Sequence, residues 1–247
     1  MSVASVPFAL GERMTRLVVP EPHQTISPPL PDGTPLERIA ALLRHVADFV
    51  AATEHPVVFA GDCMTSIGVI AGLERKGLFP TVYWFDAHGD FNTPETSPSG
   101  YLGGMPLAMI TGRGDQSLLE AVELTPVPDE RVVLSGARDL DPAEAEALAA
   151  SGLSRLSVHD IAHAVPPDGP LFVHLDVDVV NPHEMPAVDY PAGGGPGVAA
   201  VRAAMIHLAA TDRVVGFSVA APNPDLAGAP VANGATRLLA AAFLADA

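Results

Sequence analysis

Five apolar runs in this chain end the same way. PVVFAGD (56–62), TVYWFDAHGD (81–90), RVVLSGARD (131–139), PLFVHLDVDVV (170–180) and VVGFSVAAPN (214–223) each pass from β-branched and aromatic residues into Gly, Asp, His or Asn. Runs apolar on both faces belong to strands buried on both faces, which is the condition of a parallel sheet covered by helices. The segments between the runs supply those helices. From Leu36 to Thr53, the residues Leu36, Ile39, Leu43, Val46 and Val50 fall on one helical face. Ile67 to Lys76 reads as a second helix ending near Gly77, and Gly104 to Gly112 as a third. DPAEAEALAASG has Asp141 as N-cap and Gly152 at its end. Val198–Ala210 and Val231–Ala245 complete the set, with short strands expected at Leu17–Val19 and Arg155–Val158. This alternation predicts an α/β fold, three layers deep, with a mostly parallel central sheet.

At 247 residues the chain suits one large domain, 1–247, because the Gly/Pro-rich stretch at 181–197 lies inside the alternation. A formal charge of −16 argues against nucleic acid or an anionic membrane as partner. A single cysteine, Cys63, forbids an internal disulfide. There is no leader-like N-terminus and no apolar run near the ~18–20 residues of a membrane span. The expected location is the cytoplasm. No phosphate-binding glycine motif is present.

Ligands of such sheets bind beyond the carboxyl ends of the strands. Three ends here are rich in ligand-type side chains: GDC, DAHGD and HLDVD. Alternate residues of a strand point the same way, so Asp86, His88 and Asp90 converge if the strand stays extended through Gly89, as do Asp176 and Asp178. Four carboxylates aimed into one crevice repel unless cations hold them. One or two divalent ions, about 3.5–4 Å apart if bridged, would resolve this.

The segments carry a resemblance. WFDAHGDFNTPETSPSG resembles the DAHxDxN segment of the arginase/agmatinase (ureohydrolase) family, HLDVDVVNP its xDxDxxDP segment and FAGDCMTS its GGDHS segment. GARDLDP is similar to the G-x-R-D-x-D-P loop, and GFSVAAPNP occupies the place of the late D-x-x-E-x-NP segment. The resemblance runs over about residues 55 to 224. It implies the arginase/deacetylase-like α/β/α sandwich and a binuclear Mn²⁺ hydrolase of C–N bonds, acting through a metal-bridging hydroxide on a small amino-acid-like guanidine, hydroxyguanidine, amidine or formimino substrate. It implies Asp86, His88, Asp90, Asp176 and Asp178 as ligands, with Asp86 and Asp176 bridging and Asp90 also carrying a proton. Asn92, Ser99 and Asp141 match residues that hold the α-amino-acid end of the substrate. A trimer or hexamer is expected on the same ground.

Three positions depart from the pattern. Cys63 stands where the family has its first histidine ligand. As a thiolate it would favour Zn²⁺ or Fe²⁺ over Mn²⁺, and its bland reading is a small buried hydrophobe. Cysteine there resembles the N-hydroxyarginine hydrolase of cycloserine biosynthesis. The family's proton-shuttle histidine falls on Gly103, with His183 as a possible substitute or a merely solvated residue. The glutamate that pairs with guanidinium falls on Ala221, and a charge-assisted pair is lost with it. Two other readings stay open: an N-hydroxyarginine amidinohydrolase of secondary metabolism, and a catalytically silent relative that binds a metal or ligand. His174 reads as core or as support for a ligand, and Tyr101 and Tyr190 as loop residues able to line a pocket.

Overall fold

The computed structural model describes residues 1–244; Ala245, the end of the last expected helix, lies outside them. Eight strands form one sheet: β1 (Ser2–Val6), β4 (Gln24–Thr25), β5 (Pro56–Ala60), β6 (Thr81–Phe85), β7 (Val132–Ser135), β8 (Ser154–Arg155), β9 (Leu171–Asp176) and β10 (Val214–Ala220). Their order is β4-β1-β5-β10-β9-β6-β7-β8, and every pairing in it is parallel. A small antiparallel ribbon joins β2 (Phe8–Ala9) to β3 (Glu12–Arg13).

Strand alternation divides the core in two. Val82 and Trp84 of β6, Val58 of β5 and Leu134 of β7 face one hydrophobic cluster, which is closed by α1 (Pro35–Ala52), α2 (Thr65–Arg75), α3 (Pro106–Ile110) and α4 (Ser117–Val122). Tyr83 and Phe85 of β6, Phe59 of β5 and Val133 of β7 face the other, closed by α6 (Val158–Ile161), α7 (Val198–Ala209) and α8 (Ala229–Leu244). Helix α5 (Pro142–Ala150) sends Leu148 into the first cluster. The expected α/β/α sandwich is therefore present, and its sheet is all-parallel. No described helix is long and apolar enough to cross a membrane.

Local expectations fared unevenly. Thr34 caps α1 with a reciprocal Thr34–Glu37 box and Pro35 at its first position, so that helix starts where its capping chemistry dictates. Leu17–Val19 is not a strand; it is part-exposed and runs into Pro20, which has no N–H to donate. The N-terminal strand lies instead at Ser2–Val6, paired to β5 along its length. At Arg155–Val158 the strand stops at Arg155, because Ser157 Oγ accepts from Asp160 N at 3.0 Å and begins α6. The Gly104–Gly112 helix shortens to Pro106–Ile110, and α4 is an element the periodicity did not reveal.

Strands β5, β10, β9 and β6 are neighbours at the sheet centre, although β9 and β10 come last in sequence. The strand order reverses there, which is where open α/β sheets hold their ligands.

Candidate metal centre

The carboxyl ends of those four strands open into one cavity of about 810 Å³. Cys63 follows β5, Asp86 to Asp90 follow β6, Asp176 ends β9 with Asp178 in the turn after it, and Ala221 follows β10. Asn92, Ser99 and Asp141 line the same cavity, as do Gly103 and Tyr101. All nine residues that the sequence singles out for the site are brought together.

The way they converge differs from the expectation. Strand β6 does not continue through Gly89; it ends at Phe85, and Asp90 adopts a left-handed φ of 49°. Past Phe85 the backbone amides turn to carboxylates. Ala87 N donates to Asp178 Oδ1 at 3.0 Å, His88 N to Asp86 Oδ1 at 2.7 Å and Phe91 N to Glu144 Oε1 at 2.9 Å. Similarly β9 closes in a tight turn in which Asp178 N donates to Asp176 Oδ1 at 2.8 Å. Loops shaped by acidic side chains, rather than strand alternation, aim these groups at one point.

Two sub-clusters result. His88 Nδ1 lies 3.3 Å from Asp86 Oδ1 and 3.0 Å from Asp178 Oδ2. Cys63 Sγ lies 3.0 Å from Asp176 Oδ2 and 3.9 Å from Asp86 Oδ2. Asp86 belongs to both. Nine carboxylates line the cavity, against one imidazole as the only basic side chain. Burial, then the Asp178 charge, raises Asp86 to about 6, against the pull of His88. Burial followed by neighbouring carboxylates pushes Asp90, Asp176 and the Cys63 thiol well above their ordinary values. Burial opposes the charge on His88, yet hydrogen bonds and charges from Asp178 and Asp86 raise it to about 11. Crowded acids in a buried cavity thus disfavour one another's charge, with His88 within it and Arg138 behind it as the nearby positive charges. Asp90 Oδ2 is buried without any hydrogen-bond partner. An orphaned carboxylate oxygen within a set of oxygen, nitrogen and sulfur donors fits divalent cations.

Asn92 Nδ2 donates to Asp141 Oδ2 at 3.0 Å, so two of the three expected substrate contacts already touch. Asp141 is also the N-cap of α5, as its sequence position foretold. Ser99 Oγ accepts from Tyr101 N at 3.2 Å. His183 is exposed and does not line the cavity, so it supplies no imidazole in place of Gly103. The Tyr101 ring fills that space: a Cβ on Gly103 would lie 2.3 Å from Tyr101 Cε1. Tyr101 pairs with Tyr190 across the mouth, ring centroids 5.1 Å apart.

Two supporting residues escaped sequence reasoning. Arg138 donates to the carbonyls of Gly136, Asp178, Val179, Ala192 and Gly193 at 3.1–3.2 Å, lashing the β7, β9 and glycine-rich loops together. Its place within GARDLDP was the available signal. Glu144 is 3% exposed and grips both Phe91 N and Asp141 N. It sits at the third helical position after an Asp cap, which is a capping-box signature.

Comparison with known proteins agrees with this architecture. Residues 24–247 match the arginase family. The arginase of Brevibacillus brevis is 37% identical over 164 residues, 61% of this chain and 55% of that relative, so the chain spans about half the length of that curated protein. The N(omega)-hydroxy-L-arginine amidinohydrolase of Streptomyces lavendulae is 31% identical over 192 residues, 76% of this chain and 67% of the relative. The crystal structure of arginase from Bacillus cereus superposes with a TM-score of 0.83 at 27% identity, covering 100% of this chain and 98% of the other. A family match over residues 24–247, on a sheet whose central strand ends gather these acids, places the chain in the arginase family.

Proposed function

We propose that this chain is a binuclear-metal hydrolase that cleaves a C–N bond of a small amino-acid-like substrate bearing an N-hydroxyguanidine, amidine, formimino or guanidine group. The observation that carries this reading is the convergence of Cys63, Asp86, His88, Asp90, Asp176 and Asp178 in the cavity that also holds Asn92, Ser99 and Asp141. Asp86 and Asp176 would be shared between two ions, with His88 and Asp178 completing one and Cys63 and Asp90 the other. When bound, such a pair supplies a water acidified to near neutrality and a positive field on the carbon under attack.

The chain's own residues do the rest. Asp90, buried and with a free oxygen, is placed to accept a proton and pass it to the departing nitrogen. The Asn92–Asp141 pair and Ser99 present donors and acceptors to the amino and carboxyl groups of the substrate. Tyr101 and Tyr190 wall the mouth and limit the water that reaches the reacting group. With Ala221 in the cavity wall, no carboxylate at that position pairs with a guanidinium, which favours a less basic reacting group.

A second reading, hydrolysis of N-hydroxyarginine to hydroxyurea and ornithine, is favoured by Cys63 and by the match to the Streptomyces amidinohydrolase. The test is turnover by protein loaded separately with Mn²⁺, Fe²⁺ or Zn²⁺, with arginine, N-hydroxyarginine, an amidine and a formimino amino acid as substrates. N-hydroxyarginine cleaved at least tenfold faster than arginine supports the second reading. Two bound metals with no turnover of the panel would leave a silent relative. Full turnover by Asp90→Asn with both metals bound would remove the proton role from Asp90.

A further inference from the structure

His174 remains outside the ligand set above. It lies on β9 two residues before Asp176, so both side chains leave the strand on the same face. It is fully buried, and its ring packs on Trp84 with centroids 3.9 Å apart. Nδ1 lies 2.9 Å from Ser66 Oγ of α2 and 2.9 Å from Ser218 Oγ of β10, and the two hydroxyls are 3.0 Å apart. Nε2 is buried with no partner. A ring nitrogen of His174, Cys63 Sγ and an Asp86 carboxylate oxygen all lie within 4.8 Å of one another.

The tautomer decides what Nε2 is for. A neutral imidazole carries one N–H and one lone pair. A proton on Nε2 would be a buried donor with nothing to accept it, a costly state. A proton on Nδ1 has a serine oxygen to receive it and leaves the Nε2 lone pair buried and free, on a ring one of whose nitrogens lies within 4.8 Å of Cys63 Sγ and an Asp86 oxygen. Metal-binding histidines are held this way, with the second ring nitrogen donating to a fixed acceptor. Ligand atoms bonded at about 2.0–2.3 Å to one ion stand roughly 3–4.5 Å apart, so little closure is needed here.

We propose that His174 Nε2 is a ligand of the cation on the Cys63 side, with Ser66 and Ser218 as positioning residues that fix its tautomer. The imidazole adds a nitrogen donor from β9 and makes the two positions unlike. Sulfur and nitrogen together select Zn²⁺ or Fe²⁺ there over Mn²⁺. This inference rests on the binuclear reading.

The experiment titrates Zn²⁺ into chelator-stripped full-length protein labelled with ¹⁵N-histidine, with bound zinc counted by elemental mass spectrometry. Zn²⁺ is diamagnetic, so nitrogen resonances report coordination directly. The expected result is two zinc ions per chain, with His88 and His174 each shifting one ring nitrogen. His174→Gln should lose one zinc and keep the other. Ser66→Ala with Ser218→Ala should weaken that same zinc about 10–100-fold. Two zinc ions with the His174 Nε2 resonance unmoved, or with both still bound tightly in His174→Gln, would overturn the assignment and leave the binuclear reading intact. No zinc in the parent protein would overturn both. Should His174→Gln fail to fold, the parent's nitrogen resonances decide alone.

Discussion

Gly89 sits between His88 and Asp90 because nothing larger fits. A Cβ there would lie 2.5 Å from Glu144 Oε1, 2.7 Å from Glu144 Cδ and 3.0 Å from Leu140 Cδ2. Leu140 presents a methyl that can rotate away. Glu144 cannot yield so easily, because its carboxylate accepts from Phe91 N at 2.9 Å and Asp141 N at 3.3 Å. In Gly89→Ala, overpacking costs about 1–3 kcal/mol. Forcing Glu144 aside leaves the buried Phe91 N–H unpaired, a further cost of about 1–3 kcal/mol. A total near 4 kcal/mol lowers Tm by about 8–16 °C for a chain of this size. Glu144→Ala costs about 2–3 kcal/mol by freeing the same amides. The double variant should then cost little more than Glu144→Ala alone, since the methyl enters the vacated space. That is a coupling of about 3 kcal/mol in a double-mutant cycle, read by chemical denaturation of chelated protein. Additivity within about 0.5 kcal/mol would refute the steric link between Gly89 and Glu144. Metal content gives an independent check, because the displaced loop carries His88 and Asp90.

The metal-free protein should be most stable in mild acid. Asp86 is raised to about 6 and His88 to about 11, so the contribution of Asp86 is lost as pH climbs from about 4 through 6, and that of His88 as pH climbs from about 6.5 through 11. Thermal melts in chelator from pH 5 to 9 should therefore fall, while added divalent metal stabilises more at high pH, where its ligands are deprotonated; a flat metal-free profile would contradict the protonation scheme. Arg138→Lys replaces a planar fork spanning five carbonyls with a point charge and should cost about 3 kcal/mol, with metal affinity falling alongside; retention of both would show that the lashing is dispensable. Gly103→His should cost no more than about 1 kcal/mol in the parent, because only the end of the part-exposed Tyr101 ring must swing aside, and less in a Tyr101→Ala background; equal effects in both backgrounds would place Tyr101 elsewhere.

What the sequence disclosed, and what it did not, follows the range of the forces involved. The sheet was readable because burial on both faces writes continuous apolar runs, and Val82, Trp84 and their neighbours sort into two clusters by simple alternation. The strand order was not readable, since β9 and β10 lie between β5 and β6 through contacts made by the whole chain. The expected site residues share one cavity, yet the reason inferred for it was local and mistaken. Asp86 and Asp90 do not meet along an extended strand; Glu144, 54 to 58 residues away, and Asp178, on another strand end, pull the loop's amides into place. Tyr101 over Gly103 is the same lesson in a smaller space. Gly103 reads in the sequence as a vacancy, whereas in the fold the Tyr101 ring, two residues earlier, lies over it. If 63, 103 and 221 are the positions where the resemblance expects a histidine, a histidine and a glutamate, the cavity is rebuilt there rather than simply depleted. Cys63 Sγ stands among the carboxylates, the Tyr101 ring lies over Gly103, and Ala221 puts no carboxylate in that part of the wall. Restoring the family residues singly should meet resistance at 103, where Tyr101 must first move.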